Sequence, residues 1–179
     1  EHLTKKYKNV VAVNDLNLKV KKGEVFGFIG PNGAGKTTTI RILAGLLKPT
    51  SGKAAIGGYD ISKSLTEVKK LVGYMPDLFG VYDEMRVWEY LDFFGAAYRI
   101  NKEKRRTAID RVLTITGSEY MRDYYIGTLS RGMRQKVGLA KTLIHDPQVL
   151  ILDEPASGLD PRARIELRDT IKNLKVQGK

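Results

Sequence analysis

The chain has 179 residues and no cysteine, so it forms no disulfide, no thiolate zinc site and no cysteine nucleophile. A formal net charge of +11 would suit a polyanionic partner, but the basic residues lie in short runs interrupted by acidic and apolar ones, as on a solvated surface. No apolar run approaches the ~18–20 residues that span a bilayer, and the first residues lack the apolar segment of a signal peptide. We therefore expect a soluble domain whose attachment to any membrane depends on a partner.

The predicted elements change in character near residue 77. Before it, turn residues and β-type runs predict strands at 10–13, 16–20, 25–29 and 72–75, a hairpin at 53–59 and one helix at 38–47. After it, apolar residues at helical spacing predict helices at 87–98, 103–116, 131–144 and 163–175, with one apolar strand at 149–152. The order indicates an α/β fold with a helical insertion.

A glycine-rich segment at 30–37 reads GPNGAGKT and fits the P-loop pattern G-x-x-x-x-G-K-[ST]. Its glycines let successive backbone N–H groups point at a phosphate. Lys36 would add a positive charge, and the hydroxyl of Thr37 would bind Mg²⁺. Chance matches are expected in roughly one sequence in a hundred of this length, so the motif predicts binding of a nucleoside triphosphate without giving its purpose.

Two adjacent acidic residues, Asp153 and Glu154, follow the apolar run 149–152. The carboxyl ends of strands line the ligand crevice of an open α/β sheet, so both carboxylates are expected near the phosphates. Asp153 would hold Mg²⁺ through water, and Glu154 would orient or deprotonate the attacking water.

A second candidate anion site begins at Ser130, which suits the N-cap of the helix that follows. Gly132 would leave the backbone of the first turn accessible, and Gln135 belongs to the same helix start. Helix N-termini attract anions, so this segment could contact a phosphate.

These motifs, in this order, resemble the nucleotide-binding domain of ATP-binding cassette (ABC) transporters over nearly the whole chain. Tyr7 is similar to the aromatic residue that stacks on adenine, and Val13 to the apolar residue beside the nucleotide. The remaining nucleotide-binding positions implied by the resemblance fall in Walker A, the signature and the D-loop: Gly30, Pro31, Asn32, Gly33, Ala34, Gly35, Lys36, Thr37, Thr38, Ser130, Gly132, Gln135 and Asp160. Thr37 and Asp153 would bind the metal, and Glu154, Lys36 and Asp77 would act in catalysis.

The resemblance implies an α/β P-loop NTPase core of the RecA-like type with an antiparallel β subdomain and an inserted helical subdomain. The first part of the core would span 1–76, the helical signature subdomain 77–145 and the second part of the core 146–179, incomplete at the C-terminus. Two such domains would pair head to tail around ATP and Mg²⁺, with Ser130 and Gly132 touching the γ-phosphate held by the other copy. The implied activity is ATP hydrolysis that powers a transmembrane permease, with this domain on the cytoplasmic face of the cell membrane.

Two departures and one missing residue qualify the resemblance. Asp77 stands where the family has the Q-loop glutamine, and Arg131 stands where its signature usually has glycine, with Arg134 as an added cation. The family's H-switch histidine follows one more strand, and His145 precedes Walker B and cannot replace it. We therefore expect a fragment that binds ATP but hydrolyses it poorly.

Two interpretations of the function remain open at this stage. The pattern is most similar to bacterial ABC-2-type exporters, in which the apolar and aromatic residues of 77–88 would form a groove for the membrane partner. The alternative is one cassette of a soluble ABC protein that acts on ribosomes or nucleic acid, although the charge pattern alone does not favour nucleic acid as a partner.

Overall fold

The computed structural model describes residues 1–179. Its strands are β1 (Leu3–Tyr7), β2 (Val10–Leu16), β3 (Ala55–Ile56), β4 (Tyr59–Asp60), β5 (Val72–Met75) and β6 (Val149–Leu152). Its helices are α1 (Lys36–Leu43), α2 (Leu65–Leu71), α3 (Val87–Ala97), α4 (Lys102–Thr116), α5 (Arg131–Leu143) and α6 (Pro161–Val176).

The strands pair two by two. β1 with β2 and β3 with β4 are antiparallel, whereas β5 and β6 are parallel. In the parallel pair Val72 lies opposite Val149 and Met75 opposite Leu152, so both strands end at the same edge. The register therefore places the segments that carry Asp77 and Asp153 side by side.

The larger core lies among the helices of the second half. It contains 16 buried residues contributed by α3, α4, α5, α6, β5 and the segments that connect the helices, and these include Leu91, Val112, Leu143 and Leu174. These helices bury the apolar stripe that their sequence spacing predicts. Two of them also begin at a side-chain cap, since the Ser130 hydroxyl accepts from the Met133 amide at 3.3 Å and the Asp160 carboxylate from the Ala163 amide at 3.0 Å.

A smaller core joins the first half to the parallel strands. Ile61, Val68 and Val72 are buried there, and Leu43 of α1 and Ile151 of β6 pack against them. The helix that leaves the glycine-rich loop is thus anchored next to the strand that ends at Asp153.

Two predicted strands are wrong. Residues 17–20 continue no ladder beyond β2, and residues 25–29 make no backbone hydrogen bond to another segment, with Ile29 92% exposed. An extended run becomes a strand only when a neighbouring segment forms hydrogen bonds with its N–H and C=O groups. The sequence of the run does not specify which segment that is. The sequence predicts β6 as a central strand with a neighbour on each side, but in the structure β6 pairs with β5 alone and is half-buried.

The helix predicted at 38–47 begins earlier and ends earlier, at Leu43. Gly45 adopts a left-handed φ of 71° directly after the Ala44 C-cap, which is how many helices end. The strand predicted at 10–13 extends three residues further, to Leu16, and the remaining predicted elements are confirmed with shifts of one or two residues at most at their ends, including the hairpin, β5, β6 and the four helices after residue 77. No helix combines the length and apolar character that crossing a membrane requires.

Candidate functional site

The loop that leads into helix α1 is shaped by glycines in the left-handed region. Gly33 and Gly35 both have φ of 82°, which an L side chain rarely adopts. The Lys36 ammonium folds back over the loop and donates to the carbonyl oxygens of Gly30 at 2.7 Å and Pro31 at 2.9 Å. The cation is thereby held at the centre of the loop, where the P-loop prediction places it.

The same loop rests on strand β2. A Cβ on Gly35 would lie 2.2 Å from the Ala12 carbonyl oxygen and 3.1 Å from Cγ2 of Val13, so only glycine fits between the loop and the strand. Val13 is buried there, and the β1–β2 ladder carries Tyr7, whose ring is 45% exposed and has the Lys5 ammonium 5.1 Å from its centroid. An exposed ring of this kind can stack on a planar ligand.

Asp153 is a buried carboxylate at the end of β6. Its backbone N–H donates to the Met75 carbonyl at 2.8 Å, while its carboxylate receives no hydrogen bond from the chain. Burial, and next the charge of Asp153, raise the pKa of the neighbouring Tyr74, and the Arg41 guanidinium of α1 opposes that shift. A buried anion with free lone pairs is suited to a cation brought in from outside the chain.

The site fits Mg²⁺ rather than a metal enclosed by protein ligands. No group of three or more His, Cys, Asp or Glu side chains is arranged to hold a metal ion. Mg²⁺ keeps several waters and takes one or two protein oxygens together with substrate phosphates. The free carboxylate of Asp153 and the exposed hydroxyl of Thr37 supply oxygens of that kind.

Glu154 begins an exposed turn in a strained conformation. Its φ is 49°, in the left-handed region, and its carbonyl oxygen accepts from the Ser157 amide at 2.9 Å. The turn runs to Asp160, which caps helix α6. An exposed acidic residue, Glu154, therefore follows the buried Asp153 directly in the chain.

The start of helix α5 packs against this turn. Gln135 is buried and its amide nitrogen donates to the Pro155 carbonyl at 2.8 Å. A Cβ on Gly132 would lie 3.6 Å from Cβ of Ala163 and 3.9 Å from a Leu159 methyl group, so this glycine faces helix α6. Ser130 stays exposed at the N-cap.

Asp77 lies in a cleft of about 150 Å³ between the segment after β5 and the start of α5. Its Oδ1 atom is buried and has no hydrogen-bond partner. The cleft is lined by one carboxylate, two guanidinium groups, an amide and apolar side chains: Asp77, Leu78, Phe79, Val81, Arg131, Arg134 and Gln135. The two departures from the family pattern, an acid and a base, therefore line the same cleft.

The structure gathers the predicted residues into two groups. Val13 lies against the loop 30–37 and Tyr7 lies on the adjoining strand β1, while Asp77 and the signature residues lie beside the turn 153–160. No hydrogen bond or ion pair joins loop 30–37 to residues 130–135. Within one chain the two candidate phosphate-binding elements therefore make no direct polar contact.

Sequence reasoning missed the environment of Lys141. Its ammonium lies 4.8 Å from the centroid of Phe79 and 5.1 Å from that of Phe94, and burial lowers its pKa to about 8. Phe79 is packed inward, whereas the adjacent Leu78 is 82% exposed. Because these residues come from two different helices and a loop, no local sequence pattern predicts that they are in contact.

Comparisons with known proteins agree with this geometry. The family model described as "ABC transporter" matches residues 13–157. The bacitracin transport ATP-binding protein BcrA of Bacillus licheniformis is 42% identical over 172 residues, which are 96% of this chain and 55% of that protein. The ABC transporter ATP-binding protein NatA of Bacillus subtilis is 42% identical over 178 residues, covering 97% of this chain and 71% of that protein.

Solved structures of ATP-binding cassettes are similar to this chain over its whole length. A dimeric post-hydrolysis structure of the ATP-binding cassette MJ0796, bound to ADP and Pi, superposes with a TM-score of 0.88 at 26% identity, covering 100% of this chain and 83% of that one. The chain spans about half the length of the first relatives it matches, 48% and 55%. It is therefore similar to one part of those proteins.

Proposed function

The chain belongs to the ABC transporter family, and we propose that it binds and hydrolyses ATP as one half of a head-to-tail pair that drives a transmembrane partner. The observation that carries the proposal is the glycine-rich loop with the Lys36 ammonium held on its carbonyl oxygens. A triphosphate entering the loop would offer Lys36 anionic oxygens in place of those carbonyls. Charge-assisted hydrogen bonds are about twice as strong as neutral ones, so the exchange favours the bound nucleotide.

The nucleotide would lie across the loop with its base toward strand β1. Backbone N–H groups of residues 30–37 and the start of α1, with Lys36 and Thr38, would bind the phosphates. The exposed ring of Tyr7 would stack on adenine, and buried Val13 would pack beside it. Val13 lies against Gly35 of the loop, and Tyr7 lies on strand β1, which pairs with β2.

The acidic turn would perform the chemistry. Thr37 and Asp153 would hold Mg²⁺, which when bound neutralises the charge that develops on the phosphates. Glu154 would orient the attacking water from its exposed position in the turn. Asp77, whose Oδ1 is unpaired in the adjacent cleft, would contact that water or the ion shell.

We propose that the second half of each ATP site comes from another copy or a related domain. Ser130 and Gly132 would reach the γ-phosphate across the interface, and Asp160 would lie in the same contact. Residues 130–135 make no hydrogen bond or ion pair to the chain's own loop 30–37, which leaves their polar groups free to contact the nucleotide of another copy. The cassette MJ0796, similar over the whole chain, forms a dimer in its ADP and Pi complex.

The helical region would transmit the motion to the membrane. We propose the division 1–76 and 146–179 for the nucleotide core and 77–145 for the signature subdomain. Exposed apolar groups such as Leu78 and Tyr82, at 82% and 52%, suit a membrane subunit docked beside Asp77. The protein would then sit on the cytoplasmic face of the membrane, held by its permease, and the BcrA resemblance favours an exporter of the ABC-2 type.

The soluble alternative is less well supported. The relatives at about 40% identity are named as transport ATP-binding proteins, and their match covers nearly the whole of this chain. A cassette that acts on ribosomes or nucleic acid would share the loop and the acidic turn, so those motifs alone do not separate the two functions.

Glu154→Gln in the full-length gene product tests the proposed function. The variant should bind ATP and Mg²⁺, stop before hydrolysis and shift to the mass of a dimer in light scattering. Lys36→Ala in the same background is the matched control and should stay monomeric, because it lacks the cation that holds the phosphates. A Glu154→Gln protein that binds ATP yet remains monomeric would refute the paired site.

Copurification tests the transport role separately. The full-length protein expressed with its neighbouring membrane-protein gene should be recovered in the detergent-solubilised complex. Recovery with ribosomes instead, sensitive to nuclease, would support the soluble alternative.

A further inference from the structure

The turn after β6 needs an external support. Glu154 has φ of 49°, and a left-handed conformation is unfavourable at a residue with a Cβ, because the Cβ comes too close to the backbone. At Glu154 itself the backbone is closed by the Ser157 amide, which donates to the Glu154 carbonyl at 2.9 Å, and further along the turn the Leu159 amide donates to the Ala156 carbonyl at 3.3 Å. A catalytic carboxylate carried on such a turn keeps its direction only when surrounding groups fix the turn.

Two side chains of helix α5 supply that support from one face. Gln135 donates to the Pro155 carbonyl at 2.8 Å, and Nη2 of Arg131 donates to the Ser157 hydroxyl at 3.5 Å. Arg131 and Gln135 are one helical turn apart, so their side chains emerge one above the other. The helix therefore contacts the turn on both sides of its middle.

Gly158 shows how closely the Arg131 guanidinium approaches. A Cβ at this position would lie 2.3 Å from Cζ, 2.5 Å from Nη1 and 2.6 Å from Nε of Arg131. The planar group thus lies on the backbone of the turn itself, in space that exists only because residue 158 has no side chain. With φ of 65°, Gly158 also takes a conformation that favours glycine.

Arg131 has no competing ion pair. Its neighbour Arg134 donates to the Leu129 and Gly127 carbonyls and lies 3.8 Å from Asp83, whereas Arg131 contacts no carboxylate. On its other side Arg131 lines the cleft that contains the unpaired Oδ1 of Asp77. The guanidinium therefore lies between the segment of Asp77 and the turn that begins at Glu154, and its side-chain hydrogen bond is to the turn.

We propose that Arg131 is a positioning residue that acts within its own chain: it holds the 154–158 turn so that Glu154 points at the water next to the γ-phosphate. This inference rests on the proposed ATPase function. It assigns Arg131 to the chain's own hydrolytic site, whereas Ser130 and Gly132 on either side of it act on the nucleotide of the other copy.

The test compares Arg131→Ala, Ser157→Ala and the double variant in the full-length protein. A lost side-chain hydrogen bond of about 0.5–1.5 kcal/mol corresponds to a two- to tenfold change. We expect kcat to fall by that factor in each single variant, with KM for ATP changed less than twofold. The double variant should be no slower than Arg131→Ala, because each single substitution already removes the same hydrogen bond between Arg131 and Ser157.

Amide hydrogen exchange provides a readout that does not depend on turnover. The Ser157 amide should exchange about two- to tenfold faster in Arg131→Ala, since its bond to Glu154 loses support. Arg131→Lys, which keeps a cation but not the planar group, should recover only part of the protection. The matched control is Arg106→Ala, an exposed arginine of α4 that makes no hydrogen bond or ion pair, and it should change neither quantity.

Three outcomes would overturn the inference. If Arg131→Ala raises the KM for ATP, and if its effect on kcat adds to that of Ser157→Ala in the double variant, Arg131 contacts the nucleotide instead of the turn. Unchanged exchange at Ser157 in folded Arg131→Ala would show that the turn holds itself. Faster exchange in Arg131→Ala, combined with no ATP binding by the wild-type protein, would leave Arg131 as a structural contact only and would refute the proposed function as well. If Arg131→Ala fails to fold, Gly158→Ala, which displaces the guanidinium, should give the same lower kcat and faster exchange, and normal values there would refute the positioning role.

Discussion

Gly73→Ala tests how tightly strand β5 packs on helix α5, which together hold Asp77 and the signature residues in place. Gly73 is buried, and an alanine Cβ would lie 2.7 Å from the Thr142 carbonyl oxygen, 2.8 Å from Cγ of Pro147 and 2.9 Å from Cγ2 of Thr142. Unstrained contacts between carbon atoms begin near 3.5 Å, so strand and helix must separate by roughly 0.5–1 Å. The first of these contacts is with backbone, which no rotamer change can relieve.

Overpacking of this kind costs about 1–3 kcal/mol. Replacing glycine recovers about 0.4–1 kcal/mol, because the unfolded chain has less freedom to lose. The free energy of unfolding should therefore fall by about 1–2 kcal/mol, measured by urea denaturation of the full-length protein followed by circular dichroism. Gly80→Ala is the matched control, since its Cβ would meet no atom within 4 Å and stability should stay equal or rise slightly. Equal stability of Gly73→Ala and the wild type would show that β5 and α5 are not in this contact.

Three further substitutions address the site and its surroundings. Lys36→Ala should lower ATP affinity by roughly 10- to 150-fold, the value of hydrogen bonds to a charged group, in titrations with a fluorescent ATP analogue, and unchanged affinity would remove Lys36 from the phosphate site. Gln135→Ala leaves the Pro155 carbonyl without its donor and should cost about 1–2 kcal/mol in urea unfolding, whereas wild-type stability would show that water replaces the amide. Burial lowers the pKa of Lys141 to about 8, so between about pH 8 and 10.4 the folded chain binds fewer protons than the unfolded one and stability should rise with pH. Lys141→Met should flatten that rise, and an identical slope in both proteins would contradict the burial of the ammonium.

Local information predicts a large part of this fold. The helices 87–97, 102–116 and 131–143 follow from apolar residues at helical spacing, because each buries one stripe on its neighbours whatever the remainder of the chain does. The loop around Lys36 follows equally well, since its glycines fix the backbone over a few residues. The acidic turn is predictable because the apolar run 149–152 is too short for a helix and follows Pro147, so it predicts a strand that ends just before Asp153.

The errors arise where structure depends on a distant partner. The run 25–29 has the composition of a strand but makes no ladder, whereas β5, of similar length, pairs with β6 from far along the chain. Nothing inside either run distinguishes these outcomes, because the deciding hydrogen bonds belong to another segment. The same limit applies to Lys141, whose aromatic neighbours Phe79 and Phe94 come from two other parts of the chain.

Arg131 shows why individual departures from a family pattern are hard to interpret from sequence. Considered alone, an arginine in place of a signature glycine puts a bulky cation at a helix start expected to bind phosphate, where its side chain would contact either phosphate or solvent. In the fold, the room for its guanidinium is provided by Gly158, because the turn after β6 is brought against α5 by the parallel pairing of β5 and β6. In this contact the small residue, Gly158, belongs to the turn, and the large residue, Arg131, belongs to helix α5. A substitution at either position should therefore be judged with its counterpart, and Arg131→Gly alone should loosen the turn.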